Sequence, residues 1–285
     1  MTKQQHVNVG NFNIANNLPL TVIAGPCAME SPSMAIDTAG ALTEICAELG
    51  VNYIFKNSFD KANRLSLESK RGVGLEAALP VFAKIKQQFG CPIITDFHSP
   101  EQCQAVKDYV DVLQIPAFLC RQTDLLVAAA NTGLVVNIKK GQFVAPENMQ
   151  SIARKVTASG NNKVVLTERG TCFGYNNLIS DMRALPIMSS SGMPVVYDVS
   201  HSVQYPGGQG GSSGGDRRFI PHLARAAVAV GVAGIFIETH PKPAEAISDK
   251  ATQWPLAEFK DLLSSLIDID QIVKANSYQL DLADA

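Results

Sequence analysis

The stretch TVIAGPCAMES, residues 21–31, leads from an apolar run into Gly25, Pro26 and Cys27. Its first four residues are apolar or β-branched, which predicts a short buried strand. Glycine and proline are turn residues, so the chain is expected to change direction where the strand ends. The strand therefore presents a thiol just past its carboxyl end. Seven later runs have the same character, and together the eight decide the fold.

The eight apolar runs alternate along the chain with longer segments of helical periodicity. Near-continuous apolar strands separated by helices predict a parallel sheet that is covered on its outer face. Eight such units favour a (β/α)₈ or TIM barrel of the α/β class, with a doubly wound open sheet as the alternative. The runs are TVIAGPC (21–27), YIFKNSF (53–59), PIITDF (92–97), VLQIPAF (112–118), LVVNIKK (134–140), KVVLTER (163–169), PVVYDVS (194–200) and GIFIETH (234–240).

Turn and helix-end signals support this organisation. The helical segments SMAIDTAGALTEICAEL and LEAALPVFAKIKQQF are followed by Gly50 and Gly90, and glycine at this position commonly ends a helix. The opening residues alternate around Gly10 and Asn11, a pair typical of a two-residue hairpin turn. We therefore expect an N-terminal β-hairpin that covers one end of the barrel.

The composition is that of an ordinary globular protein. The 285 residues are 46% hydrophobic and 18% charged, and the formal net charge is −2. Nucleic-acid and membrane-surface partners both call for a basic excess, so we expect neither. Because no linker composition divides the chain, we predict a single domain over residues 1–285, with the hairpin in 1–20 and the barrel in 21–285.

The sequence also indicates the cellular location of the protein. The opening segment has no apolar core of a signal peptide, and the longest apolar run, residues 226–237, is too short and glycine-broken to span a bilayer. Six cysteines lack the dense spacing of a disulfide scaffold, so we expect reduced thiols. These features predict a cytoplasmic protein.

Nearly every apolar run ends in a polar residue that is capable of chemistry. In a barrel the carboxyl ends of all strands lie at one mouth, where barrel enzymes have their active sites. Polar residues that simply mark strand ends would be the alternative, but strands more often end in Gly, Asn or Ser than in charged groups. The strand-end residues are Cys27, Lys56, Asp96, Gln114, Lys139, Arg169, His201 and Glu238.

Four of the residues at the predicted mouth are candidate metal ligands. Closure of the barrel would make Cys27, His201 and Glu238 neighbours, and Asp249 follows in the next loop. A thiolate, an imidazole and two carboxylates suit Zn²⁺, Fe²⁺, Mn²⁺ or Co²⁺ better than Mg²⁺ or Ca²⁺. From the pattern alone, a polar mouth without a metal remains the alternative.

The predicted mouth also gathers cations. Lys56, Lys139 and Arg169 end three strands, and Lys61 and Arg64 follow closely in KNSFDKANR. Like charges converge at an energetic cost, and an anionic ligand is the usual reason for it. Phosphate and carboxylate groups would fit. The alternative, lysines that extend to solvent, is most relevant to Lys61.

The glycine-rich segment QYPGGQGGSSGGDRR, residues 204–218, has the composition of a flexible linker. Because it directly follows the seventh strand and His201, we interpret it as a loop that closes over substrate. Arg217 or Arg218 could then cap a phosphate. We assign no role to His98 and a structural one to His222.

Eight motifs together resemble the 3-deoxy-D-manno-octulosonate 8-phosphate synthases, from residue 7 to about residue 275. The resemblance implies a (β/α)₈ barrel, usually a homotetramer. The reaction it implies is the condensation of phosphoenolpyruvate with D-arabinose 5-phosphate, which supplies the sugar of bacterial lipopolysaccharide. The motifs are GPCAMES, FKNSFDKANR, ITDFHSPEQ, LQIPAFLCRQTDL, VNIKKGQF, TERGTCFGYNNL, YDVSHSVQ and FIETHPKP.

The resemblance also assigns residues. The family has two forms, one of which has asparagine in place of the cysteine and requires no metal. Cys27 therefore implies the form that requires a metal. The ligands that the resemblance implies are Cys27, His201, Glu238 and Asp249. Asp96 would support the site. The residues that resemble the phosphoenolpyruvate site are Lys56, Ser58, Lys61, Gln114, Ala117 through its backbone, Lys139 and Arg169.

The segment KANR bears on the second substrate. The related 3-deoxy-D-arabino-heptulosonate 7-phosphate synthases carry Lys-Pro-Arg at this point, whereas Asn63 here suits a hydroxyl of the longer sugar. The resemblance therefore places Asn63 and Arg64 at arabinose 5-phosphate. One position departs from the family, because Leu65 stands where a serine commonly follows the arginine.

Three further functions are alternatives. One is the condensation of phosphoenolpyruvate with erythrose 4-phosphate, as in the related 3-deoxy-D-arabino-heptulosonate 7-phosphate synthases. A Schiff-base aldolase could use Lys139 or Lys56 as its nucleophile in a similar barrel. A barrel that only binds a phosphosugar would take up the ligand without releasing phosphate.

Overall fold

The eight apolar runs form the eight parallel strands of a closed barrel. A computed structural model of the protein describes residues 3–173, 175–207 and 214–276. The strands are β1 (Val7–Val9), β2 (Phe12–Ile14), β3 (Thr21–Gly25), β4 (Asn52–Lys56), β5 (Ile93–Asp96), β6 (Val112–Ile115), β7 (Val135–Lys139), β8 (Val164–Glu168), β9 (Val195–Asp198), β10 (Gln204–Tyr205), β11 (Gly214–Gly215), β12 (Gly234–His240) and β13 (Trp254–Pro255). The helices are α1 (Pro32–Glu48), α2 (Leu75–Phe89), α3 (Pro100–Val106), α4 (Thr123–Asn131), α5 (Asn148–Thr157), α6 (Ala184–Ser189), α7 (Ile220–Val230) and α8 (Phe259–Ala275).

Strand pairing confirms the barrel and excludes the open sheet. Strands β3 to β9 pair in chain order, and β12 pairs in parallel with both β9 and β3. An open sheet would leave two edge strands, whereas this pairing closes the circle. The short strand β13 adds to the end of β12, where Thr239 pairs with Trp254.

Two apolar layers hold the barrel together. The larger layer lies between the strands and the surrounding helices and includes Phe55, Phe82 and Phe259. The smaller layer fills the barrel interior with β-branched side chains such as Ile54 and Val165. Strands that are buried on both faces explain why the runs read as continuously apolar rather than alternating.

The N-terminal hairpin is confirmed, and it covers the end of the barrel opposite the carboxyl ends of the strands. Strand β1 pairs antiparallel with β2 across Gly10, whose φ is 57°. Val7, Val9 and Ile14 pack onto the interior apolar layer. Asn16 then fixes the hairpin, because its side chain bonds the backbone of Met193 and Val195 at 2.8 Å each.

The predicted helix ends are also confirmed. Helix α1 begins after Ser31, whose hydroxyl accepts from the backbone N–H of Met34, and it ends just before Gly50. Helix α2 ends at Gly90, which adopts the left-handed conformation with φ of 67°. The six cysteines, all within the described ranges, are free. Among the described helices, none has the length and apolarity needed to cross a bilayer.

The glycine-rich segment is described only at its two ends. Residues 208–213, the centre of the loop expected to close over substrate, lie outside the described residues. On either side, β10 and β11 pair antiparallel. Arg217 donates to the carbonyl of Lys250, and Arg218 pairs with Asp216. Neither arginine is among the described residues that line the cavity at the barrel mouth.

Candidate active site

The carboxyl ends of the strands open into one cavity of about 340 Å³. This is the arrangement expected from strand-end chemistry in a barrel. Cys27 is fully buried beside the cavity, where its Sγ lies 3.0 Å from Asp249 Oδ2. The other strand-end residues, all of which line the cavity, are Lys56, Asp96, Gln114, Lys139, Arg169, His201 and Glu238.

The turn at Gly25 explains how the first strand presents its thiol. A Cβ atom at Gly25 would overlap the carbonyl oxygen of Lys56 on the adjacent strand, so only glycine allows this approach. Asn57 then donates from Nδ2 to the carbonyl of Pro26 at 2.9 Å. The backbone N–H of Cys27 donates to Gln253 Oε1 at 3.1 Å. These contacts fix the position of Cys27.

The four predicted metal ligands converge. Ligand atoms of Cys27, Glu238 and Asp249 all lie within 4.8 Å of one another. His201 Nε2 lies 3.6 Å from Glu238 Oε1 and 4.0 Å from Asp249 Oδ2. Glu238 is 1% exposed, and neither of its carboxylate oxygens has a hydrogen-bond partner within the described part of the chain. A buried carboxylate without a hydrogen bond is costly, and a divalent cation would satisfy it.

The electrostatics of this cluster also fit a cation. Burial, followed by the carboxylates of Asp249 and Glu238, raises the pKa of the Cys27 thiol well above its usual value. His201 Nδ1 lies 2.8 Å from Asp198 Oδ2, which leaves Nε2 to face the carboxylates. The donor set of one thiol, one imidazole and two carboxylates suits a divalent transition metal or zinc, whose binding would release the thiol proton.

Asp249 adopts a backbone conformation that needs support from its surroundings. Its φ is 50°, in the left-handed region that non-glycine residues rarely occupy. The backbone N–H groups of Thr252 and Gln253 both donate to its carbonyl at 3.0 Å. Gln204 Nε2 donates to its Oδ1 at 2.9 Å. The strained conformation directs the carboxylate at Cys27.

Buried cations line the same cavity. Lys56 and Lys139 are 2% and 6% exposed, so both are drawn into the mouth rather than extended to solvent. Lys56 Nζ lies 3.0 Å from Asp96 Oδ1, and burial lowers the pKa of Lys56. Lys139 Nζ lies 2.6 Å from Asp198 Oδ2 and 3.7 Å from the ring centre of Phe236.

Arg169 and Lys61 also line the cavity, and with Lys56 and Lys139 they form what we call the positive wall. Arg169 is 5% exposed and donates from Nη2 to Gln204 Oε1 at 2.9 Å. Its Nε and Nη1 are buried and have no partner among the described residues, so both donors are available to bind an anion. Lys61 also turns inward: its Nζ donates to Ser58 Oγ at 3.0 Å and lies 3.7 Å from Glu238. The solvent-exposed alternative for Lys61 is therefore wrong.

The predicted sugar-phosphate residues lie on the loop after Phe59. Asn63 and Leu65 are exposed residues of the cavity wall. The guanidinium of Arg64 donates to Ser248 Oγ at 2.9 Å and to the carbonyl of Ile247 at 2.8 Å. Arg64 thus joins this loop to the loop that carries Asp249. Gln114 and Ala117 line the cavity from the β6 side.

The sequence profile of the DAHP synthetase I family matches residues 2–275. The chain belongs to that family. A 2-dehydro-3-deoxyphosphooctonate aldolase of Rhodopseudomonas palustris is 57% identical over 272 residues, which cover 95% of each chain. Proteins of the same name from Brucella ovis and Brucella melitensis are 57% identical over 275 residues, 96% of this chain and 99% of theirs. The resemblance found in the sequence motifs is confirmed.

Sequence reasoning missed two residues of this DAHP synthetase I family site. Asp198 is fully buried and contacts both Lys139 and His201, and Gln204 contacts both Arg169 and Asp249. Each lies within three positions of His201, in YDVSHSVQ. A charged residue at the end of an apolar strand was the available signal for Asp198. No local signal marks Gln204.

His98 received no role from the sequence, but it belongs to the cavity wall in this family member. Its Nε2 lies 3.3 Å from Asp96 Oδ2, and its ring packs edge-on against Phe59. Burial alone would raise the pKa of Asp96, but the charges of Lys56 and the contact with His98 lower it well below its usual value. Asp96 therefore acts as an ionised partner of Lys56.

Proposed function

We propose that this protein is a 3-deoxy-8-phosphooctulonate synthase, a transferase that condenses phosphoenolpyruvate with D-arabinose 5-phosphate and water in the synthesis of lipopolysaccharide sugar. The products are 3-deoxy-D-manno-octulosonate 8-phosphate and inorganic phosphate. One observation carries the proposal: a single barrel mouth joins a wall of buried cations to a thiol, imidazole and carboxylate cluster. The names of the relatives at 57% identity support it.

The positive wall would hold phosphoenolpyruvate. Lys56, Lys139 and Arg169 would neutralise its phosphate and carboxylate groups, and the free donors of Arg169 support this assignment. Ser58, Lys61, Gln114 and the backbone of Ala117 would complete the pocket. Because the cations are fixed by Asp96, Asp198 and Gln204, the anion would bind to preorganised charges.

The second substrate would enter beside the cluster of candidate ligands. Asn63 would donate to or accept from a sugar hydroxyl, and Arg64 would contact the distal phosphate. Cys27, His201, Glu238 and Asp249 would hold a divalent ion, with zinc, iron, manganese and cobalt all compatible with the donor set. When bound, such an ion supplies Lewis acidity, either to orient and polarise the aldehyde oxygen or to lower the pKa of a water molecule.

The bonds change as follows. The methylene carbon of phosphoenolpyruvate attacks the aldehyde carbon, a carbon–carbon bond forms, and the aldehyde oxygen takes up a proton. Water adds at the neighbouring enol carbon and loses a proton. The hydroxyl of the resulting hemiketal phosphate loses its proton and becomes the ketone oxygen. The carbon–oxygen bond to phosphate breaks at the same time, and the departing phosphate takes the electron pair and a proton. The residues of the chain contribute orientation and fixed positive charge, and no covalent enzyme intermediate is needed.

Measurement of phosphate release tests the proposal. Purified protein is given phosphoenolpyruvate with either arabinose 5-phosphate or erythrose 4-phosphate, before and after treatment with a chelator. We expect release with arabinose 5-phosphate, its loss after chelation and its return with added metal. Preference for erythrose 4-phosphate would instead indicate the heptulosonate phosphate reaction. Binding of the sugar without phosphate release would indicate a non-catalytic barrel.

The Schiff-base alternative has its own test. Borohydride is added in the presence of substrate, and a covalent adduct on Lys56 or Lys139 would support that mechanism. We expect none, because Lys139 is paired with Asp198 at 2.6 Å and Lys56 with Asp96 at 3.0 Å. Each Nζ is thereby engaged with a carboxylate oxygen and is not free to attack a carbonyl carbon.

The proposal also covers the domain, the oligomeric state, the location and the partners of the protein. We propose one barrel domain over the whole chain, a homotetramer, a cytoplasmic location, and small molecules as the only substrates, with no nucleic-acid or membrane partner. Light scattering of the purified protein gives the mass of the assembly. A mass other than four times that of the chain would contradict the tetramer.

A further inference from the structure

Glu30 contacts two segments that lead to candidate metal ligands, and it lies on a third, the loop that carries Cys27 between β3 and α1. Its Oε1 accepts a hydrogen bond from the backbone N–H of Ile247 at 3.0 Å. The same oxygen lies 3.3 Å from His240 Nε2. Neither Glu30 nor His240 lines the cavity among its described residues, so neither is placed to touch substrate.

The positions of these contacts in the chain are informative. Glu30 lies three residues after Cys27, His240 two residues after Glu238, and Ile247 two residues before Asp249. One carboxylate therefore connects the three segments that present a thiol and two carboxylates to the same point. Their ligand atoms lie within 4.8 Å of one another.

The connection matters most for the segment of Asp249. Because Asp249 has a φ of 50°, its conformation persists only while the chain on both sides is held. Gln253 and Thr252 hold the following residues through the carbonyl of Asp249. On the preceding side, Glu30 holds the N–H of Ile247, and Arg64 holds its carbonyl.

His240 is itself fixed in orientation. It is buried, and its Nδ1 accepts a hydrogen bond from the backbone N–H of Lys242 at 2.9 Å. An acceptor Nδ1 carries no proton, so the neutral ring carries its proton on Nε2, the atom that faces Glu30. This Nε2 is buried without a hydrogen-bond partner among the described residues, and the acidic group that faces it, 3.3 Å away at the end of the strand that carries Glu238, is the Glu30 carboxylate.

We propose that Glu30 is a positioning residue that assembles the Cys27, Glu238 and Asp249 ligand set through Ile247 and His240. This inference rests on the metal centre of the proposed function. Glu30 acts on the geometry of the ligands rather than on substrate. Loss of its contacts therefore weakens metal binding first, and excess metal restores turnover.

The test measures equilibrium binding of Co²⁺ to the chelator-treated full-length protein. Thiolate-to-cobalt absorption reports coordination by Cys27 independently of catalysis. We expect Glu30→Ala to weaken Co²⁺ binding about 10- to 100-fold, the usual effect of losing a group that orients metal ligands. Glu30→Gln keeps an oxygen acceptor for Ile247 and is expected to bind close to wild type. At saturating Co²⁺, Glu30→Ala should recover phosphate release.

Glu245→Ala provides the matched control, because Glu245 lies in the same connection after β12, is exposed and pairs only with Lys242 among the contacts described for its carboxylate. Wild-type affinity in Glu30→Ala, or an equal loss in Glu245→Ala, would overturn the inference. If urea unfolding shows that Glu30→Ala does not fold, His240→Asn is used instead. The asparagine side chain keeps an oxygen acceptor for the N–H of Lys242, but it loses the contact with Glu30. Wild-type affinity in that variant would also overturn the inference.

Failure of the Glu30 inference can be distinguished from failure of the proposed function. A wild-type protein without a thiolate-to-cobalt band would overturn the metal centre, and the Glu30 inference with it. A wild-type protein that binds Co²⁺ and releases phosphate, with an unaffected Glu30→Ala variant, would overturn only the role of Glu30.

Discussion

Lys139 Nζ, at the cavity, lies 2.6 Å from Asp198 Oδ2, and Asp198 is fully buried. The same carboxylate oxygen lies 2.8 Å from His201 Nδ1. Burial alone would raise the pKa of Asp198, but the charges of His201 and Lys139 lower it well below its usual value. Asp198 is therefore an anion that joins the positive wall to the candidate metal cluster.

Replacement of that anion should affect both halves of the site. We expect Asp198→Asn to lower kcat/KM for phosphoenolpyruvate about 10- to 100-fold and to weaken metal binding, because the amide neither balances Lys139 nor fixes the His201 tautomer. Steady-state kinetics and metal content measure the two effects. Asp181→Asn, which removes the exposed partner of Arg183, is the control and should leave both unchanged. An unaffected Asp198→Asn variant would contradict the assignment.

The thiol is the most direct test of the metal centre. We expect Cys27→Ala to lose bound metal and phosphate release together, because the ligand set loses its soft donor. Cys172→Ala, at a half-buried thiol distant in the sequence, should keep both. Cys27→Asn should retain some turnover without metal, since the resemblance includes a form with asparagine at this position. Full activity of Cys27→Ala in chelator would refute the metal role.

The loop after Phe59 should separate the two substrates. We expect Asn63→Ala to raise KM for arabinose 5-phosphate about tenfold, the effect of one lost hydrogen bond, with little change in KM for phosphoenolpyruvate. Glu68→Ala, on the same loop and exposed, serves as the control. Equal increases in both KM values for Asn63→Ala would count against this division of the cavity.

Gly25 should be indispensable for folding. A Cβ there would overlap the Lys56 carbonyl oxygen, a backbone atom that cannot move without breaking the pairing of β3 and β4. We expect Gly25→Ala to lower the free energy of unfolding by more than about 4 kcal/mol. Gly50 is the matched control: its φ is 65°, but a Cβ would meet nothing within 4 Å. Gly50→Ala should cost only about 1–2 kcal/mol. Urea unfolding compares them, and equal losses would show that steric overlap is not the cause.

Much of the fold could be predicted because its signals are local. Eight buried runs, helix-ending glycines and the Gly10-Asn11 turn depend only on residues that are near one another in the chain. Because parallel strands share one carboxyl end in a barrel, the sequence alone predicts that Lys56, Lys139 and Glu238 lie at one mouth. The sequence by itself thus determined the barrel, the end at which chemistry is possible and the residue types available there.

Only the tertiary structure decided which of these groups touch. The Cys27 segment meets Gln253 and Asp249 more than 200 positions away, and Lys139 meets Asp198 across 59 positions. The left-handed conformation of Asp249, the inward turn of Lys61 and the junctions made by Gln204 and Glu30 likewise have no local signature. Such contacts are set by closure of the barrel and by the packing of its loops, because hydrogen-bond partners are chosen by distance in space and not along the chain.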